Sequence, residues 1–158
     1  MNKKLWIKYS IFSLVAIVIC LIDQLSKSWI VKLTGGKEGL GPIVIDKVLK
    51  FSYKKNYGAS MGILDGQRIL LIVLTFVILG LGIYYIKKHK FESCLLLTAA
   101  SLIAGGAVGN LIDRIFLGFV RDFIHLLFIN FYIFNVADCA ICVGAGLLII
   151  YAFKYIED

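Results

Sequence analysis

The sequence predicts an all-α membrane protein: four transmembrane helices, a small outer-surface β-sheet, and an extracytoplasmic connection before the fourth helix. Three observations predict it. Hydrophobic residues make up 60% of the 158 positions, and the mean hydropathy is +0.90. Four apolar segments, 5–22, 69–86, 94–111 and 136–156, are close to the roughly 20 residues that a helix needs to cross a bilayer core. With their flanking polar turns they predict helices over about 5–27, 69–87, 94–114 and 136–156, with the sheet over about 40–62. The connections are too short for a second folded domain, so 1–158 reads as one unit.

Charge distribution refines this. A formal net charge of +7 could suggest a nucleic-acid partner, but the basic residues flank apolar segments. Lys3, Lys4 and Lys8 precede the first, and Lys87, Lys88 and Lys90 follow the second. This is the pattern of cytoplasmic anchoring and contact with membrane lipid, and it predicts no nucleic acid. Four crossings put both termini on one side, which these clusters make cytoplasmic. The 31–68 connection runs against the simple rule, with Lys32, Lys37, Lys47, Lys50, Lys54, Lys55 and Arg68. Cys20, Cys94, Cys139 and Cys142 all fall in apolar stretches. One CxxC with no second pair reads as packed small residues and not as a zinc or redox site.

The first apolar run imitates a secretory signal, but it lacks a small-residue cleavage site and continues into Asp23-Gln24-Leu25-Ser26-Lys27. Asp23 and Lys27 are i,i+4 neighbours on a helix. They read either as a helix end at the interface or as a pair from which Asp23 orients other polar groups. Gly35, Gly36, Gly39, Gly41 and the only proline, Pro42, then make a turn region. Residues 43–45 and 49–53 follow as two short strands around Asp46-Lys47; in the second, Leu49, Phe51 and Tyr53 alternate with Lys50, Ser52 and Lys54. They predict a small sheet on the outer leaflet with its apolar face down. Asn56-Tyr57-Gly58-Ala59-Ser60-Met61-Gly62 supplies two glycines for close backbone approach, in a binding loop or a plain connection.

The second helix is featureless and structural. The third carries Ala99, Ala100, Ser101, Ala104 and a GxxxG at Gly105 and Gly109, which places it inside the bundle. Its end sets Asn110, Asp113 and Arg114 on one face, with Asp113 beside Arg114 as a stable ionised scaffold. The stretch 116–134 reads as a partly buried surface connection carrying Asp122, with His125 as an interfacial polar residue. Asn135 is placed to cap the fourth helix and, three residues before Asp138, to face the same way. Ala140, Gly144 and Gly146 again permit close packing.

Four acids thus lie at helix ends on the outer side: Asp23, Asp113, Asp122 and Asp138. Two carboxylates forced together in a low dielectric share a proton, so one acts as an acid while the other is a base. Such a pair can activate water against a peptide carbonyl and protonate the leaving amine. The residue pattern alone does not choose the pair, and it also permits a proton-coupled transporter. The transporter reading wants acids near the midplane and an internal repeat, neither of which the sequence offers. A metalloprotease reading wants an HExxH or comparable cluster, and only His89 and His125 exist.

Five blocks in register resemble bacterial lipoprotein signal peptidase, the signal peptidase II family. They are Asp23-Gln24-x-Ser26-Lys27, Asn56-x-Gly58-Ala59-Ser60-Met61-Gly62, Gly109-Asn110-x-x-Asp113-Arg114, Val120-x-Asp122-Phe123 and Phe134-Asn135-x-Ala137-Asp138. The resemblance implies an aspartic endopeptidase of the bacterial cytoplasmic membrane with no metal or other cofactor. It implies diacylglyceryl-prolipoprotein substrates cut just before the lipidated cysteine, no obligate protein partner, and inhibition by globomycin-type compounds. Asp122 and Asp138 fall on the family's catalytic aspartates. Asn56, Asn110, Arg114 and Asn135 fall on positions that shape the site or hold substrate. Asp23, Lys27, Asp113, Gly58 and Gly109 fall on structural positions of the same blocks. The sheet corresponds to the family's cradle, and the link before Asp138 to its cover over the site. Three positions depart from the pattern: Tyr57 is bulkier than usual, Cys139 replaces a commoner serine, and Ile133 stands where proline often precedes Phe134. These departures predict a retuned rim with activity retained.

Overall fold

A computed structural model describes residues 3–59, 63–89 and 93–155, with the side chains of His89 and Tyr155 left out. Ser60, Met61 and Gly62 of the second block, Lys90 of the basic cluster, and Ile156 at the expected end of the fourth helix lie outside the described residues. The order is α1 (Lys3–Thr34), β1 (Ile43–Ile45), β2 (Leu49–Asn56), α2 (Arg68–His89), α3 (Cys94–Phe116), β3 (Val120–Leu126) and α4 (Val136–Tyr155). All four helices are long and apolar enough to cross a membrane.

The small residues of α3 put it at the centre. Its most apolar window is 56% buried, against 0% for that of α1. A Cβ on Gly105 would lie 2.7 Å from the Ala16 carbonyl of α1, and one on Gly106 would lie 2.5 Å from the Ala137 carbonyl of α4. Gly144 of α4 makes the reciprocal approach, with the Ala99 carbonyl 2.9 Å from where its Cβ would be. Backbones meet directly at these points, which is how helices associate where burial against lipid gives no driving force. Gly146, expected to pack in the same way, faces open space.

The first helix runs seven residues past the end expected at Lys27. Lys27 and Asp23 are both 0% exposed, so they do not mark an interface. The actual stop is Gly35-Gly36, both at positive φ (61° and 71°). Gly36 N–H donates to Val31 O (3.0 Å), the six-to-one closure that satisfies the last carbonyls of a helix.

A three-stranded antiparallel sheet, β1-β2-β3, closes the end of the bundle where α1 and α3 terminate. Its third strand lies in the stretch expected as an irregular connection; Val120–Leu126 pairs with β2, setting Asp122 opposite Lys54 and Val120 opposite Asn56. The expected alternation in β2 also fails locally. A register shift between Phe51 and Lys54 lets Ser52 and Tyr53 both be buried. Ile30 of α1, Tyr53 and Phe123 form the core beneath the sheet, with Phe51 edge-on to Trp29 (5.6 Å) and to Phe123 (5.7 Å). Gly41 is required where the loop crosses β2, because a Cβ there would strike the Phe51 carbonyl. The link 127–135 folds back on β3 through Phe134, which exchanges backbone hydrogen bonds with Ile124 (2.8 and 3.1 Å). An apolar cleft of about 960 Å³ opens between α1 and α2 over α3, in the half of the bundle away from the sheet. Among the described residues the cysteines are free: Cys20 and Cys139 are half-buried, whereas Cys94 and Cys142 are exposed and not packed inside as expected.

Candidate active site

The polar residues of the sequence blocks converge where α1, α3 and the start of α4 meet the sheet. Asn135 caps α4 reciprocally: its Oδ1 accepts from Asp138 N–H (3.0 Å), and its own N–H donates to Asp138 Oδ2 (3.1 Å). The same Asn135 turns its Nδ2 to Asp122 Oδ1 (2.6 Å). One asparagine therefore holds both carboxylates. Asn56 Nδ2, on the neighbouring strand, donates to Asp122 Oδ2 (2.9 Å), and Asn110 Nδ2 of α3 donates to Asp138 Oδ1 (2.8 Å). Asp122 is 1% exposed, while Asp138 remains partly open.

Behind this pair lies a buried ionic lattice. Lys27 Nζ, fully enclosed, lies 2.8 Å from Asp23 Oδ2 and 3.5 Å from Asp113 Oδ2, and donates to Asn110 Oδ1 at 2.9 Å. Asn110 Oδ1 also accepts from Asn135 Nδ2 (3.2 Å), so the amide orientations of both asparagines are fixed by donors. Asp23 Oδ1 accepts the Ala137 N–H (3.0 Å), one of the free donors in the first turn of α4. Asp23 therefore does orient other groups, from the interior and not from a rim.

Asp113 does not pair with Arg114 as sequence adjacency suggested. Consecutive residues on a helix point about 100° apart and do not face each other. Arg114 turns instead to the loop, donating from Nη2 to Gly58 O (3.0 Å), with its guanidinium in electrostatic reach of Asp138 and Asp122. The cation on Asp113 is Arg121 of β3, through Nη2 to Oδ1 (2.7 Å) and Nε to Oδ2 (3.1 Å). Arg121 and the amide of Gln24 are the site residues for which the sequence reading gave no role, although Gln24 stands in the first block. Gly58 is anchored by its N–H to Asn56 Oδ1 (2.9 Å). Gly109 makes room for Asp23, whose Oδ2 lies 2.5 Å from where a Cβ would be. Tyr57 is half-exposed at the rim, tilted against Phe119 at 5.7 Å, and His125 sits part-buried on β3 opposite Lys50.

Burial pushes the Asp122 carboxyl up to about 7, and the charge of Asp138 adds to the rise; hydrogen bonds from Asn135 and Asn56 oppose it. At neutral pH this carboxyl therefore exchanges its proton readily beside a second one held by the same asparagine. Among the described residues no three His, Cys, Asp or Glu converge in a metal-binding arrangement. The chemistry on offer is proton transfer to and from a group placed between two carboxyls.

Residues 15–154 match the family model described as Signal peptidase (SPase) II. The chain is 43% identical over 150 residues to a protein of Halalkalibacterium halodurans named lipoprotein signal peptidase, covering 94% of this chain and 93% of that one. It is 42% identical over 147 residues to one of the same name from Streptococcus agalactiae serotype V, covering 91% and 92%. Two solved structures described as bacterial membrane enzymes superpose on it. The first does so with a TM-score of 0.83 at 34% identity, over 90% of this chain and 87% of that one. For the second the values are 0.80, 35%, 91% and 93%.

Proposed function

This chain belongs to the signal peptidase II family, and we propose that it works as an aspartic endopeptidase with Asp122 and Asp138 as its catalytic pair. It is a multi-pass membrane peptidase of a family that removes signal peptides from prolipoproteins. The finer reading is that it takes diacylglyceryl-modified substrates and cuts just before the lipidated cysteine.

The observation that carries the aspartic mechanism is the double engagement of Asn135, by side chain to Asp122 and by backbone and cap to Asp138. On this reading Asp122, buried, and Asp138, partly open, are bridged by one asparagine and retain a single proton between them. The ionised member takes a proton from water, and the oxygen of that water bonds to the scissile carbonyl carbon. The protonated member donates to the carbonyl oxygen. Collapse of the tetrahedral intermediate breaks the C–N bond, and the cysteine nitrogen leaves with a proton returned by the pair. Asn56 holds the Asp122 oxygen that Asn135 does not, Asn110 does the same for Asp138, and Arg114 fixes Gly58 through its carbonyl. A lipid-anchored substrate presents its scissile bond at the membrane interface, which suits a site at helix ends. Each acyl CH₂ buried against the protein adds about 0.8 kcal/mol of binding. The family resemblance implies globomycin-type inhibitors for this site, and the basic clusters at the opposite end of the bundle imply an orientation with the sheet outside and both termini in the cytoplasm.

The test is cleavage of a diacylglyceryl prolipoprotein by the purified protein in detergent with EDTA, read by mass spectrometry. Wild type is expected to release the signal peptide just before the lipidated cysteine, and Asp122→Asn and Asp138→Asn to lose at least about 10³-fold in rate. Cleavage by either variant near the wild-type rate would refute the assignment, and loss of wild-type cleavage only with EDTA would revive a metal.

A further inference from the structure

Arg121 occupies the one unspecified position of the Val120-x-Asp122-Phe123 block. Asp122 reaches Asn135 and Asn56 from its strand, while Arg121 reaches the other way into α1 and α3. There its Nη2 donates to Gln24 Oε1 (2.8 Å) and Asp113 Oδ1 (2.7 Å), its Nε to Asp113 Oδ2 (3.1 Å), and its backbone N–H to Asp113 Oδ2 (2.9 Å). Gln24 in turn donates to Gly109 O (3.0 Å) and Asp113 Oδ1 (3.1 Å). Arg121 thus bolts the strand that carries Asp122 onto α1 and α3.

Its charge matters as much as its fork. Asp113 is 0% exposed and meets two cations, Arg121 at 2.7 Å and Lys27 at 3.5 Å. Lys27 stands nearer to Asp23 (2.8 Å) and Asn110 Oδ1 (2.9 Å) than to Asp113. The Asn110 contact orients the amide whose Nδ2 holds Asp138. Resting on the reading of Asp122 and Asp138 as the catalytic pair, we propose that Arg121 is a positioning residue: by neutralising Asp113 it leaves Lys27 on Asn110, and so holds Asp138 in place. Without Arg121, Asp113 is a buried carboxylate whose remaining ion-pair partner among the described residues is Lys27. An uncompensated buried charge draws its partner strongly, so the ammonium shifts from Asn110 to Asp113. Asn110 then loses the nearer of the two donors that fix its orientation, Lys27 at 2.9 Å, and keeps the longer contact from Asn135 at 3.2 Å.

The experiment compares Arg121→Met, Arg121→Lys and the double variant Asp113→Asn/Arg121→Met, as full chains in detergent, with the diacylglyceryl prolipoprotein substrate. In Arg121→Met, kcat is expected to fall about 10–100-fold, the scale of a small misplacement of reacting groups. KM should stay within about twofold, because substrate contacts are intact. The pH–rate limb assigned to the dyad should move. Arg121→Lys, a point charge without the fork, should recover part of the rate. The double variant should exceed Arg121→Met, since removing the stranded carboxylate leaves Lys27 on Asn110; this is a positive coupling in a double-mutant cycle. Wild-type kcat and pH profile in Arg121→Met, or a double variant no faster than the single, would overturn the proposal. Should Arg121→Met fail to fold, the double variant decides alone: folded and active supports the proposal, folded and inactive overturns it. Failure of the dyad reading shows separately, as cleavage surviving in Asp122→Asn or Asp138→Asn.

Discussion

Asp122 holds its proton to about pH 7 because it is buried, and this couples the site to stability with a definite sign. In the unfolded chain the carboxyl titrates at its ordinary value of 3.8. Below that pH both states are protonated and Asp122 contributes nothing to the pH dependence. As pH rises from there towards 7, the folded protein keeps a proton that the unfolded chain has lost, so stability falls. Above about 7 both states are ionised and the full cost of the buried charge is present. The Tm of Asp122→Asn minus that of wild type is therefore expected to grow more positive between pH 5 and pH 8. Thermal melts in one detergent at several pH values measure it, and a difference that does not vary with pH would contradict the raised carboxyl. Residue-level reading of the sequence singled out Asp23, Asp113, Asp122 and Asp138, since acids in apolar sequence are conspicuous, whereas the choice of Asp122 and Asp138 among them came from the family resemblance. It misassigned the partner of Asp113, because the cation that folds back onto it is eight residues away, across the Gly118 turn, and not adjacent.

At the scale of elements, the helix count was legible because apolar length alone signals a crossing. The end of the first helix was not, because it depends on which charges are neutralised. Lys27 looked like an interface marker until Asp23, Asp113 and Asn110 were seen around it, and the Gly35-Gly36 stop was the better signal. Strand β3 was hidden for a different reason: its partner β2 lies more than sixty residues earlier, and such pairing leaves little local trace. Small residues on α3 were read correctly as contact points, and they carry a graded prediction. Gly109→Ala drives a methyl group against Asp23 Oδ2, which is held by Lys27 while Oδ1 of the same carboxylate takes the Ala137 N–H, so the helices or the ion pair must shift. That is expected to cost about 1–3 kcal/mol and most of the activity. Gly146→Ala, with nothing within 4 Å of its Cβ, is expected to change stability by less than about 0.5 kcal/mol. Unfolding in detergent with increasing SDS, alongside cleavage, reads both; equal effects at the two glycines would mean that close approach at Gly109 is not what the site needs.

At the scale of the molecule, every charged group of the site sits at the end of the bundle closed by the sheet, while the opposite end is flanked by Lys4, Lys8, Lys87 and Lys88. An even number of crossings puts both termini at one end, and the proposed orientation, with the sheet outside, follows the bias of Lys and Arg towards the cytoplasm. The sheet end is itself rich in lysine, so charge counting alone does not settle the orientation, whereas labelling does. Cys94 opens α3 at the basic end and is exposed, and Val44 of β1 is exposed at the sheet end. Two proteins carrying one cysteine each, native Cys94 or Val44→Cys with the other cysteines changed to Ala, report the two sides in intact cells. A membrane-impermeant maleimide is expected to label Val44→Cys directly and Cys94 only after the membrane is opened. Labelling of Cys94 alone in intact cells would invert the protein and put the proposed catalytic pair on the cytoplasmic face, out of reach of the proposed substrate with its scissile bond presented outside. The reverse pattern would place buried carboxyls, sheet and interface at one depth, where a lipid anchor in the outer leaflet brings the peptide bond to the Asn135-held pair without drawing it into the bilayer.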